Sequence, residues 1–217
     1  MSVSTEALVQ AIKEAKKLAK PRRFKQSVEL IVKLRDVDVR KPENRLDTII
    51  FLPNPPSKHI KVAVFATGDL ALKAKDAGAD LVLSREDIEK LAASKKDVKK
   101  LASSVDFFLA QADLMPLIGR YLGRYLGPRG KMPVPVPPTA DIGAMISRYR
   151  SAVKIRMRDQ PQVMCRIGTE DQKDEELAEN AQAVLSTILS KFKPYNIEKV
   201  YVKLTMGPAV RVKFKGG

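Results

Sequence analysis

The residues best suited to covalent or metal chemistry are few and isolated in this sequence. His59 is the only histidine and lies in a proline-rich segment, whereas Cys165 is the only cysteine and lies in an apolar run. A catalytic triad or a zinc site needs several such groups together, which this chain does not supply. The nucleotide-binding patterns G-x-G-x-x-G and G-x-x-x-x-G-K-S/T are absent as well. The sequence therefore predicts no catalytic residue, no metal site and no cofactor.

One loop combines glycine, proline and cations in a way that could serve binding. Residues 126–133 read L-G-P-R-G-K-M-P, so two glycines, two prolines and two cations specify the backbone path tightly. Amides and cations in such a loop can meet a phosphate group. A purely structural loop is the favoured alternative, and the sequence alone leaves both open.

Two shorter motifs lie beside predicted strands. Thr205-Met206-Gly207-Pro208 separates two strands, yet a Thr-Met start is poor turn chemistry compared with Asn-Gly or Asp-Gly. This choice of residues indicates a requirement beyond turning the chain. Arg23-Phe24-Lys25 places an aromatic ring between cations just before a strand, which suits contact with a sugar or base as well as a minor core contact.

Composition narrows the class of partner. The chain has 217 residues, with 40 Lys and Arg against 25 Asp and Glu, a net charge of +15 and one cysteine. It is too long for a small peptide and apolar enough to form a core, and no run of about 18 apolar residues predicts a membrane span. A single cysteine forms no internal disulfide, so we expect a cytoplasmic protein. The charge predicts a polyanion, with nucleic acid first, although a basic surface without a partner remains the alternative.

The hydrophobic pattern predicts two kinds of architecture. Both ends of the chain show a helix with strands, whereas the middle alternates strand and helix as in a covered parallel sheet. The predicted helices cover residues 5–20 and 174–192, and the predicted strands cover 27–35, 47–52, 62–66, 81–84, 107–110, 153–158, 162–168, 199–205 and 209–215. Residues 126–138 are expected to form a loop.

Neither end alone has enough apolar surface for a core, so we expect the ends to join. The predicted fold combines α+β and α/β parts: a discontinuous domain of residues 1–60 and 154–217, with an α/β domain of residues 61–153 inserted into it. Residues 61–153 carry 15 basic and 10 acidic residues, while the flanks carry 25 and 15. The flanks are therefore the better candidate for nucleic-acid binding.

Several separated motifs resemble the ribosomal protein L-one family, in its archaeal form, over nearly the whole chain. They are Arg23-Phe24, Ser27-Val28-Glu29, Lys41-Pro42-Glu43-Asn44-Arg45, Gln111-Ala112-Asp113-Leu114-Met115, Leu126-Gly127-Pro128-Arg129-Gly130, Met132-Pro133, Ile167-Gly168, Glu176-Leu177-Ala178-Glu179-Asn180 and Thr205-Met206-Gly207-Pro208. The resemblance implies a terminal split β-α-β domain that holds RNA and an inserted Rossmann-like domain that binds no nucleotide.

The resemblance also implies partners and contact residues. The expected partners are large-subunit (23S) rRNA in the lateral stalk of the ribosome, tRNA leaving the exit site, and the protein's own mRNA, on which it would act as a translational repressor. We expect the protein to be a monomer when not bound to the ribosome. The expected RNA-binding residues are Arg23, Phe24, Ser27, Glu29, Arg166, Gly168, Thr169, Thr205, Met206 and Gly207.

Two other classes of protein stay open at this point. An α/β enzyme with an anionic substrate needs a catalytic pair at the strand ends of residues 61–153, and no such pair is evident there. Another basic regulator that binds nucleic acid, such as a DNA-binding transcription factor, fits the charge equally well. A competition between DNA and folded RNA would separate it from an RNA-binding protein.

Overall fold

The computed structural model of the chain describes residues 3–137 and 140–213, which divide into two compact units. The terminal unit comprises the described residues of Met1–Lys58 and Ser151–Gly217, and the inserted unit comprises His59–Arg150. Helices and strands are mixed along the chain, so the fold belongs to the α/β class in the broad sense.

The elements follow one another in this order along the chain. They are α1 (Thr5–Leu18), β1 (Ser27–Leu34), β2 (Asp47–Phe51), β3 (Val62–Phe65), α2 (Gly68–Asp76), β4 (Leu81–Leu83), α3 (Arg85–Ala93), α4 (Lys95–Ser104), β5 (Phe107–Gln111), α5 (Met115–Tyr121), α6 (Gly123–Leu126), β6 (Val134–Val136), α7 (Ile142–Tyr149), β7 (Ala152–Arg156), β8 (Gln162–Thr169), α8 (Asp174–Leu189), β9 (Ile197–Leu204) and β10 (Val210–Arg211). Short 3-10 turns lie at Pro42–Asn44, Ala112–Leu114 and Pro194–Asn196.

The terminal unit is built on an antiparallel sheet with the strand order β10-β9-β1-β8. Strand β1 alternates strictly, so that Val28, Leu30, Val32 and Leu34 enter the core with buried residues of α1 and α8. Its other face carries Ser27, Glu29, Ile31 and Lys33, which are partly or fully exposed. The sheet therefore has one face under the helices and one face on which polar side chains stand.

The helix that opens the chain forms for local reasons. Leu8, Ala11, Ile12 and Ala15 recur at helical spacing and are buried. The Ser4 side chain accepts a hydrogen bond from the Ala7 amide at 3.2 Å and so caps the first turn. Helix α1 ends just before Pro21, as the sequence predicts.

A second, two-stranded sheet pairs β2 with β7 in the terminal unit. Ala152 and Val153 pair with Phe51 and Ile50, and the Leu52 amide donates to the Ser151 carbonyl oxygen at 2.9 Å. A domain boundary at residues 153 and 154 would therefore cut into β7. In the structure, the inserted unit ends at Arg150 and the second part of the terminal unit begins at Ser151.

The inserted unit contains a parallel sheet with the strand order β4-β3-β5-β6. All four residues of β3 are buried, which agrees with the continuous apolar run that predicted a covered parallel strand. The expectation of a loop throughout residues 126–138 is wrong for β6, which pairs with β5. Prolines around this strand argue for a loop, but β6 lies at the sheet edge, where Pro135 is tolerated.

The loop of residues 126–133 has a structural role in the inserted unit. The Arg129 guanidinium donates to the Lys99 carbonyl oxygen at 3.0 Å and to Ser103 Oγ at 3.2 Å. Lys131 Nζ donates to the carbonyl oxygens of Ala102 and Val105 at the end of α4, and burial lowers the Lys131 pKa. Both cations thus satisfy carbonyl groups of α4, which favours the structural alternative over a phosphate site.

His59 and Cys165, the only histidine and the only cysteine in the sequence, are each engaged within the fold. His59 Nε2 lies 2.5 Å from Asp80 Oδ1, and the Arg150 guanidinium lies next to the same ring. Cys165 is buried, and burial raises the pKa of its thiol to about 12, so it is a poor nucleophile. Within the described ranges, no group of three or more His, Cys, Asp or Glu residues could hold a metal ion.

No helix in the part of the chain that the structure describes is both long and apolar enough to cross a membrane. Strand β10 is shorter than the strand expected over residues 209–215, and the last two residues of that expectation lie outside the described residues.

Candidate nucleic-acid interface

Three segments that are distant in sequence meet at one end of the antiparallel sheet. We call this place the sheet end: it is where β1 begins and where β8 and β9 finish. Val28 pairs with Gly168 on one side and with Leu204 on the other, and Ser27 pairs with Thr169. The strand register therefore brings the expected contact residues of β1, β8 and the 205–208 turn together.

Thr205 fixes the turn to the first residue of β1. Its backbone amide donates to the Ser27 carbonyl oxygen at 3.0 Å, and its hydroxyl donates to the same oxygen at 3.3 Å. The Thr205 hydroxyl oxygen also accepts a hydrogen bond from the Ser27 amide at 3.1 Å. The hydroxyl thus adds hydrogen bonds between the start of β1 and the residue that follows β9. The sequence did not predict this structural role.

Two large apolar side chains stand out from this fixed framework. Met206 is 56% exposed and Phe24 is 52% exposed, and Arg23 beside it is exposed as well. Exposed side chains of this size cost hydration free energy and gain nothing from the core. An aromatic ring, a thioether and a guanidinium together offer surfaces on which a base or a ribose can pack.

Charged residues continue from the sheet end along the outer face of the sheet. Glu29 lies opposite Arg166 on β8 and Lys203 on β9. Lys203 Nζ lies 3.6 Å from Glu29 Oε2 and donates to the Thr205 carbonyl oxygen at 3.0 Å. The pair is partly solvated, so it stabilises the fold little, but it leaves donors and acceptors side by side on an accessible face.

Gly168 and Thr169 occupy a different place from the one expected of contact residues. Thr169 is 0% exposed, and Gly168 is buried. The Gln172 side chain accepts from the Thr169 amide at 2.9 Å and donates to the Pro55 carbonyl oxygen at 3.1 Å. Because neither Gly168 nor Thr169 presents a surface, we correct their assignment from contact residues to residues that support the sheet end.

Both glycines of the expected set lie in closely packed surroundings. A Cβ at Gly168 would lie 2.3 Å from Gln172 Oε1 and 2.4 Å from Leu177 Cδ2, which is far inside van der Waals contact. A Cβ at Gly207 would lie 3.3 Å from the Cβ atoms of Ala19 and Leu204. The neighbours of Gly207 would therefore have to shift slightly to admit a side chain.

Sequence reasoning missed the polar groups that hold the sheet end together. Gln26 and Gln172 are buried, and Lys25 Nζ lies 2.8 Å from Asp171 Oδ2. The Lys25 contact, and next the hydrogen bond from Thr169, hold the pKa of the Asp171 carboxyl well below its usual range. No local signal separates a buried glutamine from an exposed one, since only the register of distant strands encloses it.

The sheet end has the composition of a binding surface. Among the described residues it combines exposed aromatic and thioether groups with cations, and it holds them beside a hydrogen-bonded turn. Such a surface can pack against bases and riboses and can meet phosphates, and it contains no nucleophile with an activating base.

Comparison with known protein families gives one match that spans most of the chain. The family described as "Ribosomal protein L1p/L10e family" matches residues 11–208. This range includes most of both parts of the terminal unit and the whole inserted unit.

Curated relatives match at high identity over nearly their whole length. The chain is 60% identical to the large ribosomal subunit protein uL1 of Thermofilum pendens, over 97% of this chain and 94% of that protein. It is 53% identical to uL1 of Archaeoglobus fulgidus, over 98% and 100% of the two chains. It is 52% identical to uL1 of Hyperthermus butylicus, over 98% and 99%.

Proposed function

The chain belongs to the ribosomal protein L1p/L10e family, and from that premise we propose that it binds large-subunit rRNA through the sheet end of its terminal unit. It is an archaeal-type structural protein of the large ribosomal subunit and not an enzyme.

The exposure of Phe24 and Met206 carries this proposal. Each residue is more than half exposed, although the Met206 amide is held by a hydrogen bond to Gln26 Oε1. Exposed apolar side chains with cations nearby favour a ligand with flat faces and negative charge. RNA has both properties, and the family association with the ribosome makes rRNA the first candidate.

Different residues contribute affinity and specificity in this proposal. Arg23 and Arg166 meet phosphates, which supplies affinity that falls with salt. Glu29, the second lone pair of the Thr205 hydroxyl and the backbone near Gly207 accept hydrogen bonds from 2′-hydroxyls and bases. Ser27 holds Thr205, and Gly168 and Thr169 support the surface from beneath.

The family resemblance supports wider roles on the ribosome. We propose that the bound rRNA is the lateral stalk, where the protein assists the release of deacylated tRNA from the exit site. A similar RNA structure in its own mRNA would make the protein a translational repressor, and it would be a monomer when free.

Removal of the inserted unit tests which part of the chain binds rRNA. We expect that replacing residues 59–150 by a short Gly/Ser linker leaves affinity for a stalk rRNA fragment within about tenfold of wild type. A short linker can join the two parts of the terminal unit, because the chain segments on either side of the inserted unit lie close together. Phe51 pairs with Ala152, and the Leu52 amide donates to the Ser151 carbonyl oxygen. Affinities for the fragment and for a random hairpin would be measured by filter binding.

Circular dichroism and thermal melting must first show that the shortened protein is folded. A folded protein that binds the rRNA fragment no better than the random hairpin would contradict the assignment of the terminal unit. A duplex DNA competitor that displaces the fragment would favour the alternative of a DNA-binding regulator.

A further inference from the structure

Gln26 is a buried polar residue at the centre of the sheet end. It is 1% exposed, although the three residues before it are all exposed. A buried side-chain amide must find hydrogen-bond partners, because an unsatisfied one loses its interactions with water without replacement. The partners of Gln26 therefore show what its burial accomplishes.

The Gln26 side chain joins three segments of the chain. Its Oε1 accepts a hydrogen bond from the Met206 amide at 3.1 Å. Its Nε2 donates to the Lys20 carbonyl oxygen at 3.2 Å and to Glu170 Oε2 at 3.4 Å. The partners fix the orientation of this amide, since the Met206 amide needs an acceptor and the Lys20 carbonyl needs a donor.

The backbone of Gln26 reinforces the same connection. Its amide donates to Glu170 Oε1 at 2.9 Å, and its carbonyl oxygen accepts from the Glu170 amide at 3.0 Å. Lys20 follows α1, Glu170 follows β8 and Met206 belongs to the turn after β9. One residue thus ties together the ends of three elements that frame the exposed side chains.

We propose that Gln26 is a positioning residue for RNA recognition, which fixes the Met206 backbone and hence the 205–208 turn in the conformation that RNA meets. This inference rests on the proposed function and names a residue outside the expected contact set. A turn held before binding does not have to be ordered during binding, so more of the contact free energy appears as affinity. Gln26 itself touches no RNA, because it is buried.

The same two strands offer a matched control at their other end. Asn196 is also buried; its Oδ1 accepts from the Lys193 amide at 3.1 Å, and its Nδ2 donates to the Arg35 carbonyl oxygen at 3.1 Å. Like Gln26, it uses a buried side-chain amide to bind backbone groups of separate segments, but it lies where β1 finishes and β9 begins. Loss of Asn196 therefore removes comparable hydrogen bonds without disturbing the sheet end.

The first experiment compares Gln26→Met with Asn196→Leu in the full chain. Both substitutions keep side-chain size and remove the hydrogen bonds, so both should lower the melting temperature. At a temperature where both proteins are folded, Gln26→Met should bind the stalk rRNA fragment about tenfold or more weakly, and Asn196→Leu should stay within about twofold. The salt slope should not change in either protein, because neither substitution removes a charge.

Exchanging the amide and the carboxylate between positions 26 and 170 tests whether RNA affinity can be restored. Gln26→Glu keeps an acceptor for the Met206 amide, but it loses both donors and places a second carboxylate beside Glu170. Adding Glu170→Gln returns a donor to this pair and removes the like-charge contact. The double variant should recover at least about half of the lost affinity on a logarithmic scale.

Hydrogen exchange tests the positioning role without RNA. The Met206 amide should exchange at least about tenfold faster in Gln26→Met than in wild type, and in Asn196→Leu it should keep wild-type protection. Wild-type affinity in Gln26→Met, or an equal loss of affinity in both variants, would overturn the proposal. If wild type does not prefer the rRNA fragment over a random hairpin, the proposed function fails and this proposal fails with it.

Discussion

Gly168→Ala should lower the free energy of unfolding by about 1–3 kcal/mol, the usual cost of overfilling a packed site. The added Cβ would come within 2.3 Å of Gln172 Oε1 and 2.4 Å of Leu177 Cδ2. Gln172 holds the Thr169 amide and the Pro55 carbonyl, so its displacement also loosens the end of β8. Urea denaturation followed by circular dichroism measures the change.

Gly119→Ala is the matched control for this prediction. Beyond its chain neighbours and the adjacent helix backbone, no atom lies within 4 Å of a Cβ built at Gly119, and the residue lies inside helix α5. Alanine there should leave stability unchanged or raise it by about 0.5–1 kcal/mol. If Gly168→Ala is as stable as wild type, the packing around Gly168 is looser than the structure indicates.

Phe24→Ala should weaken binding to a stalk rRNA fragment by roughly fivefold to 150-fold, since stacking of one base on an aromatic ring contributes about 1–3 kcal/mol. The ring is 52% exposed, so its removal should change the unfolding free energy by no more than about 0.5 kcal/mol. Filter binding at two salt concentrations and thermal melting would measure both quantities.

Tyr195→Ala provides the comparison, because Tyr195 is 51% exposed and also belongs to the terminal unit. It lies before β9, at the opposite end of that strand from the 205–208 turn, and its loss should leave RNA affinity within about twofold. Equal effects of the two substitutions, or none from Phe24→Ala, would place the RNA elsewhere.

Local periodicity is enough to predict most of the strands and the two long helices α1 and α8. The alternation from Ser27 to Leu34 gives both the strand and its buried face, and the apolar spacing in α1 gives its core residues. Strand β6 escaped prediction because Pro135 and its neighbours resemble a loop, and only the sheet edge position makes the strand possible. The hydrophobic pattern does not predict that β10 is only two residues long.

The sequence supplies the motifs of the candidate site, but not the burial and the hydrogen bonds of their individual residues. Phe24 and Met206 are both exposed, and Met206 belongs to the turn of unusual composition. Burial of Thr169 depends on the pairing of β8 with β1, and the Thr205 hydroxyl is engaged because β9 ends opposite Ser27. These roles depend on the strand register between segments that are distant in sequence. Local sequence patterns do not contain that register.

The identity of the RNA that stays bound tests the central claim most directly. The full-length protein would be isolated from its own cells through a high-salt wash, and the retained nucleic acid would be sequenced. High salt removes contacts made only to phosphate, so a specific partner should be enriched. We expect large-subunit rRNA, concentrated in one short region of the stalk. Random RNA fragments, DNA or no retained nucleic acid would contradict the claim that the sheet end recognises rRNA.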